Sequence, residues 1–287
     1  MSTEVKVSLM EQVQSNTRLS FWFHQTLSII KLEIRKNFWG RRILPIYLFS
    51  LTPVAIFFLM NLYPTPSKSL GHPTTAATIF ANIHEGVIVR TIVFFGCSWI
   101  FTNLFRGEIL DRSLHYYFLA PVKRELIVLG KYFSGLIVSA TLFISSTVVS
   151  LLLYYYPRGY EASMQYLLAG SGLKQAFMYL VITGLACFGY GVVFLVLGLL
   201  FRNPMIPAGA IYGWESINFL LPPFLKKVSI IHYLNSFRPV PISEGPFAIV
   251  AEPTPIWLSI TSLLVIAVIL LVFASYRIRS MEVNYTD

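Results

Sequence analysis

Six long apolar segments run along the chain, and shorter polar loops separate them. An apolar helix of about 20 residues crosses a hydrocarbon core of roughly 30 Å, at about 1.5 Å of rise per residue. The pattern therefore predicts an all-α integral membrane protein with six transmembrane helices. Their expected positions are about 43–62, 85–105, 126–154, 173–201, 205–221 and 256–276.

The chain changes character at residue 19, before the first apolar segment. Residues 1–18 are polar and predict an N-terminal tail, whereas 19–42 show helical periodicity. One face of this second stretch holds Phe23, Leu27, Ile30, Ile34 and Phe38, and the other holds His24, Ser28, Lys31 and Arg35. A basic amphipathic helix of this kind lies in the membrane interface. An ordinary amphipathic helix packed on a soluble protein is the alternative.

The most charged run between two apolar segments is 106–131, RGEILDRSLHYYFLAPVKRELIVLGK. Helical spacing puts four polar residues on one face: Glu108, Asp111, Arg112 and His115. A second, apolar face holds Leu110, Leu114, Tyr117 and Phe118. Pro121 ends the helix because its ring blocks continuation, and Lys123 and Arg124 follow. The pattern predicts a short amphipathic helix at a membrane surface, with one face free for a soluble partner.

Composition and charge agree with a membrane protein and give it an orientation. Hydrophobic residues make up 55% of the 287 residues and charged residues only 12%, whereas a soluble protein has roughly a quarter charged residues. Fifteen of the 22 Lys and Arg residues lie at the segment ends that share a side with both termini, and six lie at the other ends. The positive-inside rule then predicts that both termini, the loop 106–131 and the tail 277–287 are cytoplasmic. We expect a multi-pass protein of the plasma (inner) membrane.

The loop 106–131 resembles the first cytoplasmic loop of ABC transporter permeases of the type-2 exporter family. The matching features are Glu108, Leu114, the Pro121-Val122-Lys123-Arg124 step and the Gly130-Lys131 pair. The six apolar segments have the spacing expected of that family. The resemblance implies that 19–42 is a connecting helix and that the loop contains a coupling helix, which docks an ATPase.

The same resemblance implies the function and the partners. The chain would be the permease subunit of an exporter, energised by a separate ATPase subunit that binds ATP and Mg. Docking of that subunit would involve Glu108, Asp111, Arg112, Leu114, His115, Pro121, Lys123 and Arg124. A second copy of the chain, or a related permease subunit, would complete the transport path, and membrane lipids would surround both.

Known catalytic and metal-binding motifs are missing from the sequence. There is no GxxxxGK[ST] phosphate loop, HExxH, CxxC or GxSxG motif. We therefore expect no catalytic residues, no metal site and no cofactor in this chain, and free buried thiols at Cys97 and Cys187. No basic stripe interleaved with aromatic residues lies outside the apolar segments, so no nucleic-acid partner is expected. A lipid- or polyprenyl-modifying membrane enzyme and an ion-coupled secondary transporter remain alternatives.

Two charged residues fall at membrane depth, Arg90 in the second segment and Glu215 in the fifth. Such charges are costly and usually face a bundle interior or a wet cavity. Glu215 is a candidate for the transport path or a packed interface, and Glu215→Gln is expected to change transport without unfolding. If the fifth segment ends early, Glu215 lies at the outer surface instead. Arg90 is likewise a candidate for the transport path, with reach to the outer headgroups as its alternative, and a pair with Glu215 is left open.

Apolar and small residues supply the remaining candidates. Aromatic residues of the second and fifth segments are candidates for lining a path for a hydrophobic or amphipathic substrate: Phe94, Phe95, Trp99, Phe101, Trp214 and Phe219. Packing in the core or against lipid is their alternative role. Two small-xxx-small pairs predict close helix packing, Gly135 with Ser139 and Gly209 with Gly213.

Overall fold

The computed structural model describes residues 22, 24–40, 43–62, 73–111, 113, 117, 119, 122–156, 170–241 and 254–280. These residues form helices and turns, without a strand among them. The helices are α1 (24–39), α2 (Leu44–Leu62), α3 (Pro73–Ile83), a π-helix (His84–Val93), α4 (Phe94–Leu110), α5 (Arg124–Tyr155), α6 (Gly172–Leu200), α7 (Met205–Ser216), a 3₁₀ turn (Asn218–Leu220), α8 (Pro223–Lys226), α9 (Ile230–Asn235) and α10 (Ile256–Arg279).

Within the part of the chain that the structure describes, five helical runs are long and apolar enough to cross a membrane: α2, Ala76–Leu110, α5, α6 and α10. This is the architecture of an all-α membrane protein, as the hydrophobic pattern predicts. The second run is the exception to the predicted bounds of 85–105, because its helix begins at Pro73 and continues to Leu110. Proline suits the first position of a helix, where its missing N–H has no intrahelical partner. Residues 73–84, which the apolar pattern leaves between the first two predicted segments, are therefore helical.

The predicted fifth segment, 205–221, is not one continuous helix. The helix α7 has 12 residues and ends at Ser216, which gives a length of about 18 Å. The 3₁₀ turn follows, and Pro222 and Pro223 lead into the short helices α8 and α9. For this reason no helix of this region is among the five runs that are long enough to cross a membrane.

The central helix of the bundle is α6, which packs on α4, α5 and α10. Its contact with α4 is the most extensive between any two helices described here, and glycines make it close. A Cβ on Gly198 would lie 2.8 Å from the backbone oxygen of Thr102 in α4, and one on Gly191 would lie 2.5 Å from the ring of Phe101. In contrast, α2 and α10 bury only 22% and 17% of their apolar windows, so their outer faces are left for lipid.

The bundle has two ends, named here by their helices. At the α1 end lie α1, the start of α2, the end of α4, the start of α5 and the end of α10; the far end holds the starts of α3, α6 and α10, with α8 and α9. Contacts fix this alignment. Arg124 at the start of α5 donates to the carbonyl of Arg279 at the end of α10, and Tyr154 near the end of α5 donates to the carbonyl of Ala76 in α3.

Candidate functional site

A buried ion cluster joins three helices at the α1 end. It comprises Glu33 and Lys36 of α1, Glu108 of α4, Lys131 of α5 and the phenol of Tyr117. The Nζ of Lys131 lies 2.6 Å from Oε1 of Glu33 and 2.8 Å from Oε2 of Glu108. Lys36 donates to Oε1 of Glu108 at 2.8 Å, and Tyr117 donates to Oε1 of Glu33 at 2.8 Å. Two carboxylates and two ammonium groups give the cluster no net charge.

Lys131 lies at the centre of this cluster and is fully buried. Its ammonium group lies 4.7 Å from the ring centroid of Tyr117 and 5.4 Å from that of Phe105, so aromatic faces enclose it as well as carboxylates. The preceding residue, Gly130, has no side chain, and a Cβ there would lie 2.7 Å from Ile29 of α1. These contacts explain why a glycine and a lysine stand next to each other here. The glycine lets α1 approach α5, and the lysine then binds the carboxylate of α1.

The cluster also alters the acidity of its members. Burial opposes ionisation of Glu33, but the charge and hydrogen bond of Lys131, with the hydroxyl of Tyr117, lower its pKa overall. Burial, with the negative charges of Glu33 and Glu108, raises the pKa of Tyr117. Glu33 is thus held as a carboxylate and Tyr117 as a neutral donor. A buried pair of this kind depends on all its partners, because removal of one leaves an uncompensated charge.

Of the predicted docking residues, Glu108 has a different environment from the one expected. Its side chain is 2% exposed, and both carboxylate oxygens face the ion cluster. It therefore braces the end of α4 against α1 and α5, and its carboxylate is not on the exposed surface of the loop. Helical spacing groups residues by face, but it does not say which face the rest of the chain covers.

Arg124 is also engaged within the chain. It donates to the carbonyls of Arg279 at 3.0 Å and Ile278 at 3.3 Å, which end α10. A cation there satisfies carbonyls that have no intrahelical partner and opposes the negative end of the helix dipole. Beside it, Glu125 forms an ion pair with Arg279. The start of α5 is thereby fixed to the end of the last helix.

Of the remaining predicted docking residues, the structure describes two, Asp111 and Lys123. Asp111 is exposed, and Lys123 is exposed with its Nζ 3.8 Å from the ring centroid of Trp22. Leu110 and Leu119, which the prediction did not include in the docking set, are 65% and 78% exposed. Four predicted residues lie outside the described part of the chain: Arg112, Leu114, His115 and Pro121.

The far end holds a second group of charges, around Glu85 of the π-helix. Arg90 donates to Oε1 of Glu85 from Nη2 at 2.9 Å and from Nε at 3.3 Å, and Arg238 pairs with the same oxygen. Residues five apart lie one turn apart in a π-helix, whereas an α-helix would separate them around its axis. The π-helix therefore brings this pair together. Arg90 is therefore engaged within the protein, which differs from the alternative in which it reaches to the outer headgroups.

Glu215 forms the other part of this group, and it caps α9. Its carboxylate accepts from the hydroxyl of Ser229 at 2.5 Å and from the N–H groups of Ile230 and Ile231 at 3.0 and 3.2 Å. It is 5% exposed. Among the positions expected for Glu215, the structure agrees with a packed interface. Arg90 contacts Glu215 through the backbone, since Nη1 donates to the carbonyl at 3.2 Å, and not through the carboxylate.

The aromatic candidates for path lining occupy different environments. Phe94 and Phe101 are fully buried within this one chain: Phe94 packs on Tyr190 and Phe194, and Phe101 packs on Tyr132. These two residues therefore pack in the core, which was the alternative to a role in lining a path. The other four are partly buried: Phe95, Trp99, Trp214 and Phe219.

The two small-residue pairs also differ. A Cβ on Gly135 would lie 2.9 Å from Leu104 and from Phe101 of α4, and Ser139 is fully buried, so this pair lies in a close contact as predicted. Gly209 and Gly213 are exposed, and a Cβ on either would meet nothing within 4 Å. Close packing of α7 through these two glycines does not occur among the described residues.

Several residues of both charge groups were missed by sequence reasoning. Glu33, Lys36, Glu85, Arg238 and Ser229 were not among the candidates. One signal was present for Glu33, which is the only acidic residue between positions 19 and 42 and stands among basic neighbours. An isolated acid in a basic helix is a candidate for a specific internal pair. For Arg238 and Ser229 no local pattern existed, because their partners are far away in sequence.

Two further sequence expectations concern sulfur and metal. Cys97 and Cys187 are both buried and free. Within the described residues no group of three or more His, Cys, Asp or Glu side chains could hold a metal ion. The sequence was also compared with known proteins, and it matches no family model and no curated protein.

Proposed function

We propose that this chain is the transmembrane permease subunit of an ATP-driven ABC exporter. It would move a hydrophobic or amphipathic substrate, such as a drug, a lipid or a peptide-like molecule, across the plasma membrane. The observation that carries the proposal is the bracing of the loop between the second and third long helical runs. The ion cluster and the Arg124 cap tie both ends of that loop to α1 and α10.

Such bracing suits a part that transmits force. A docked subunit that moves the exposed side of the loop would move α4 and α5 with it, since Glu108 ends one helix and Lys131 lies two turns into the other. The amphipathic helix α1 would follow because its Glu33 and Lys36 bind both. A loosely attached loop would absorb the same motion without passing it on.

The docking surface in this proposal is the exposed side of the loop. Among described residues it includes Leu110, Asp111, Leu119 and Lys123. The sequence adds Arg112, Leu114, His115 and Pro121, while Glu108 and Arg124 support the surface from within. ATP and Mg would be bound by the docked ATPase subunit, and this chain would supply no catalytic residue.

The proposal also includes topology and a second membrane subunit. Six spans with cytoplasmic termini would require the α7–α9 region to serve as the fifth span together with its turns, since α7 alone is too short. The α1 end would then face the cytoplasm, in keeping with its excess of Lys and Arg. A second copy of the chain or a related permease subunit would complete the path.

The test is co-purification of an ATPase with the tagged chain from native membranes. Leu119→Glu places a charge on the docking surface without touching the core, because Leu119 is 78% exposed. We expect it to lower the yield of bound ATPase and the ATP turnover of the eluate by about tenfold or more, as for a central interface residue. The matched control is Leu173→Glu, at the far end, where the leucine is 65% exposed.

Two outcomes would contradict the proposal. The wild-type chain could elute alone and without ATP turnover, which would redirect the work to lipid-enzyme and ion-gradient assays. Alternatively, Leu119→Glu and Leu173→Glu could reduce ATPase binding equally. Glu108→Lys is unsuitable for this test, because it would break the buried cluster and lower stability in any case.

A further inference from the structure

A cavity of about 260 Å³ opens at the α1 end, beside the ion cluster. It lies between α1, the start of α2, α4 and α5. Its walls change in polarity along the bundle axis. Glu33, Lys36 and Asn37 line it at the level of the ion cluster. Along α4, Leu104 and Ile100 line it roughly 6 and 12 Å further into the bundle, at about 1.5 Å per residue from Glu108.

The inner wall is apolar and comes from three helices. Ile46 of α2, Ile100 of α4 and Val138 of α5 contribute to it, and all three are buried. A cavity with a polar mouth at one end of a membrane protein and an apolar interior matches an amphiphile that lies parallel to the bundle. Its volume corresponds to about eight or nine water molecules, at ~30 Å³ each. It can therefore hold a headgroup and the first carbons beneath it, and not a whole lipid.

The polar wall offers both donors and acceptors. The Nδ2 of Asn37 is buried and has no hydrogen-bond partner, which is a costly state for an amide donor. Lys36 uses its ammonium for Glu108, yet 43% of its side chain is exposed, so further N–H donors remain. Glu33 accepts both of its hydrogen bonds at Oε1, from Tyr117 and Lys131. Asp111, at the exposed end of α4, also lines the cavity and adds a carboxylate there, whereas Asn103 lies deeper, between Ile100 and Leu104.

We propose that this cavity binds the phosphoethanolamine headgroup of a membrane phospholipid. The phosphate would accept from Asn37 Nδ2 and from Lys36, and the ammonium, as the outermost group, would donate to Oε2 of Glu33 and to the carboxylate of Asp111. The ion cluster beside the cavity has no net charge, and Asp111 adds a negative charge at the exposed end, which favours an ammonium group there; a zwitterion as a whole brings no further net charge. A choline headgroup has no N–H to donate and is bulkier, and a glycerol headgroup carries a net negative charge.

The consequence is a lipid that acts as part of the junction between α1, α4 and α5. This inference requires membrane placement of the α1 end, but it does not depend on an ATPase partner. Loss of the lipid would loosen α1, whereas loss of a docked ATPase would not empty the cavity. The two proposals can therefore fail separately.

The test uses native mass spectrometry of the full-length protein. Dioleoyl phospholipids with ethanolamine, choline and glycerol headgroups are added at equal concentration, and free phosphoethanolamine is used as a competitor. We expect one ethanolamine-lipid adduct to be retained over the other two lipids. Asn37→Asp removes the amide donor at constant size and should lower that retention by about tenfold or more, as expected for loss of a hydrogen bond to a charged group.

The control is Asn82→Asp, an exposed asparagine in α3 whose amide bonds only within its own helix. It should leave lipid retention unchanged. Equal retention of the three lipids, or equal retention by wild type and Asn37→Asp, would overturn the proposal. Displacement of the adduct by free phosphoethanolamine would support the headgroup chemistry and show that the acyl chains add little; no displacement would assign the lipid itself.

A second measurement covers the case in which Asn37→Asp does not fold. Hydrogen exchange of the wild-type protein is compared between nanodiscs that contain ethanolamine lipid and nanodiscs that contain only choline lipid. We expect exchange in α1 to slow by several-fold in the ethanolamine discs, since the headgroup would tie α1 to α4. Equal exchange in both kinds of disc would count against the site.

Discussion

At the scale of single residues, Lys131 is the one on which the α1 end depends most. It is fully buried, and its ammonium group is shared by the carboxylates of Glu33 and Glu108. Both carboxylates are themselves 2% exposed or less at the side chain, so neither can turn to water without rearrangement. The buried lysine therefore holds α1 and α4 to α5 through its two carboxylate partners.

We predict that Lys131→Met lowers the free energy of unfolding by about 3–5 kcal/mol, the range for removing one partner of a buried ion pair. The reason is that two buried carboxylates would face each other without a cation between them. Thermal unfolding of the purified protein in detergent measures the effect. Lys174→Met, at an exposed lysine, is the control and should change stability by about 0.5 kcal/mol or less. A Lys131→Met variant as stable as this control would show that the cluster contributes nothing net.

The sequence identified the importance of this region but not its internal geometry. Glu108 and the Gly130-Lys131 pair stood out through the family resemblance, and Glu108 was expected to face or brace a docked partner, whereas its carboxylate lies inside the cluster. Whether a side chain faces inward depends on which helix packs against it. Here that helix is α1, at positions 33 and 36, about 70 to 100 residues earlier in the chain. Periodicity within one segment carries no information about such a contact.

At the scale of helices, the hydrophobic pattern locates most of the long elements. The bounds of α2, α5, α6 and α10 agree with the predicted segments within three residues, because apolar length decides them. The two errors have physical causes. The second helical run begins at Pro73, twelve residues before the predicted start at 85. The helix α7 ends at Ser216, although apolar residues continue to the predicted end at 221. There the chain turns, and the carboxylate of Glu215 caps α9 and does not face lipid.

We predict that Glu215→Gln loosens α9. The glutamine amide has an NH₂ group in place of one carboxylate oxygen, and this group would face the N–H of either Ile230 or Ile231, so at least one hydrogen bond to a charged acceptor is lost, at a cost of about 1.5–3 kcal/mol. Amide exchange at 230 and 231 should become faster by about tenfold or more. Ser216→Ala is the neighbouring control, since its hydroxyl bonds only to the carbonyl of Tyr212 in the same helix. Unchanged exchange in Glu215→Gln would rule out the capping role; its effect on transport stays a prediction.

At the scale of the whole molecule, the two ends of the bundle differ in charge and in construction. The α1 end is braced by a neutral, buried cluster and by the cap on α10, and it carries the excess of Lys and Arg. The far end is held by Glu85 with its two arginines and by the short helix α9, which Glu215 caps. The number of spans could not be predicted from hydropathy alone, because a region of short helices can be as apolar as one long helix.

We predict that the α1 end is cytoplasmic and the far end external. Ser280→Cys, after α10, and Ser171→Cys, before α6, place exposed thiols at opposite ends. The native Cys97 and Cys187 are buried and should react little. A membrane-impermeant maleimide should label Ser171→Cys in intact cells, and it should label Ser280→Cys only after lysis. Labelling of Ser280→Cys in intact cells would reverse the orientation.

The position of the ion cluster along the chain has a consequence for biosynthesis. Its members all lie within the first 131 residues, so every charge of the cluster is present before α6 is translated. Arg124, in contrast, receives its carbonyl partners only when residues 278 and 279 emerge. Because chains are made from the N-terminus, the junction of α1 with α4 and α5 can form early, while the ribosome is still at work. A nascent chain truncated before α10 would keep that junction but would lack the hydrogen bonds from Arg124 to the end of α10.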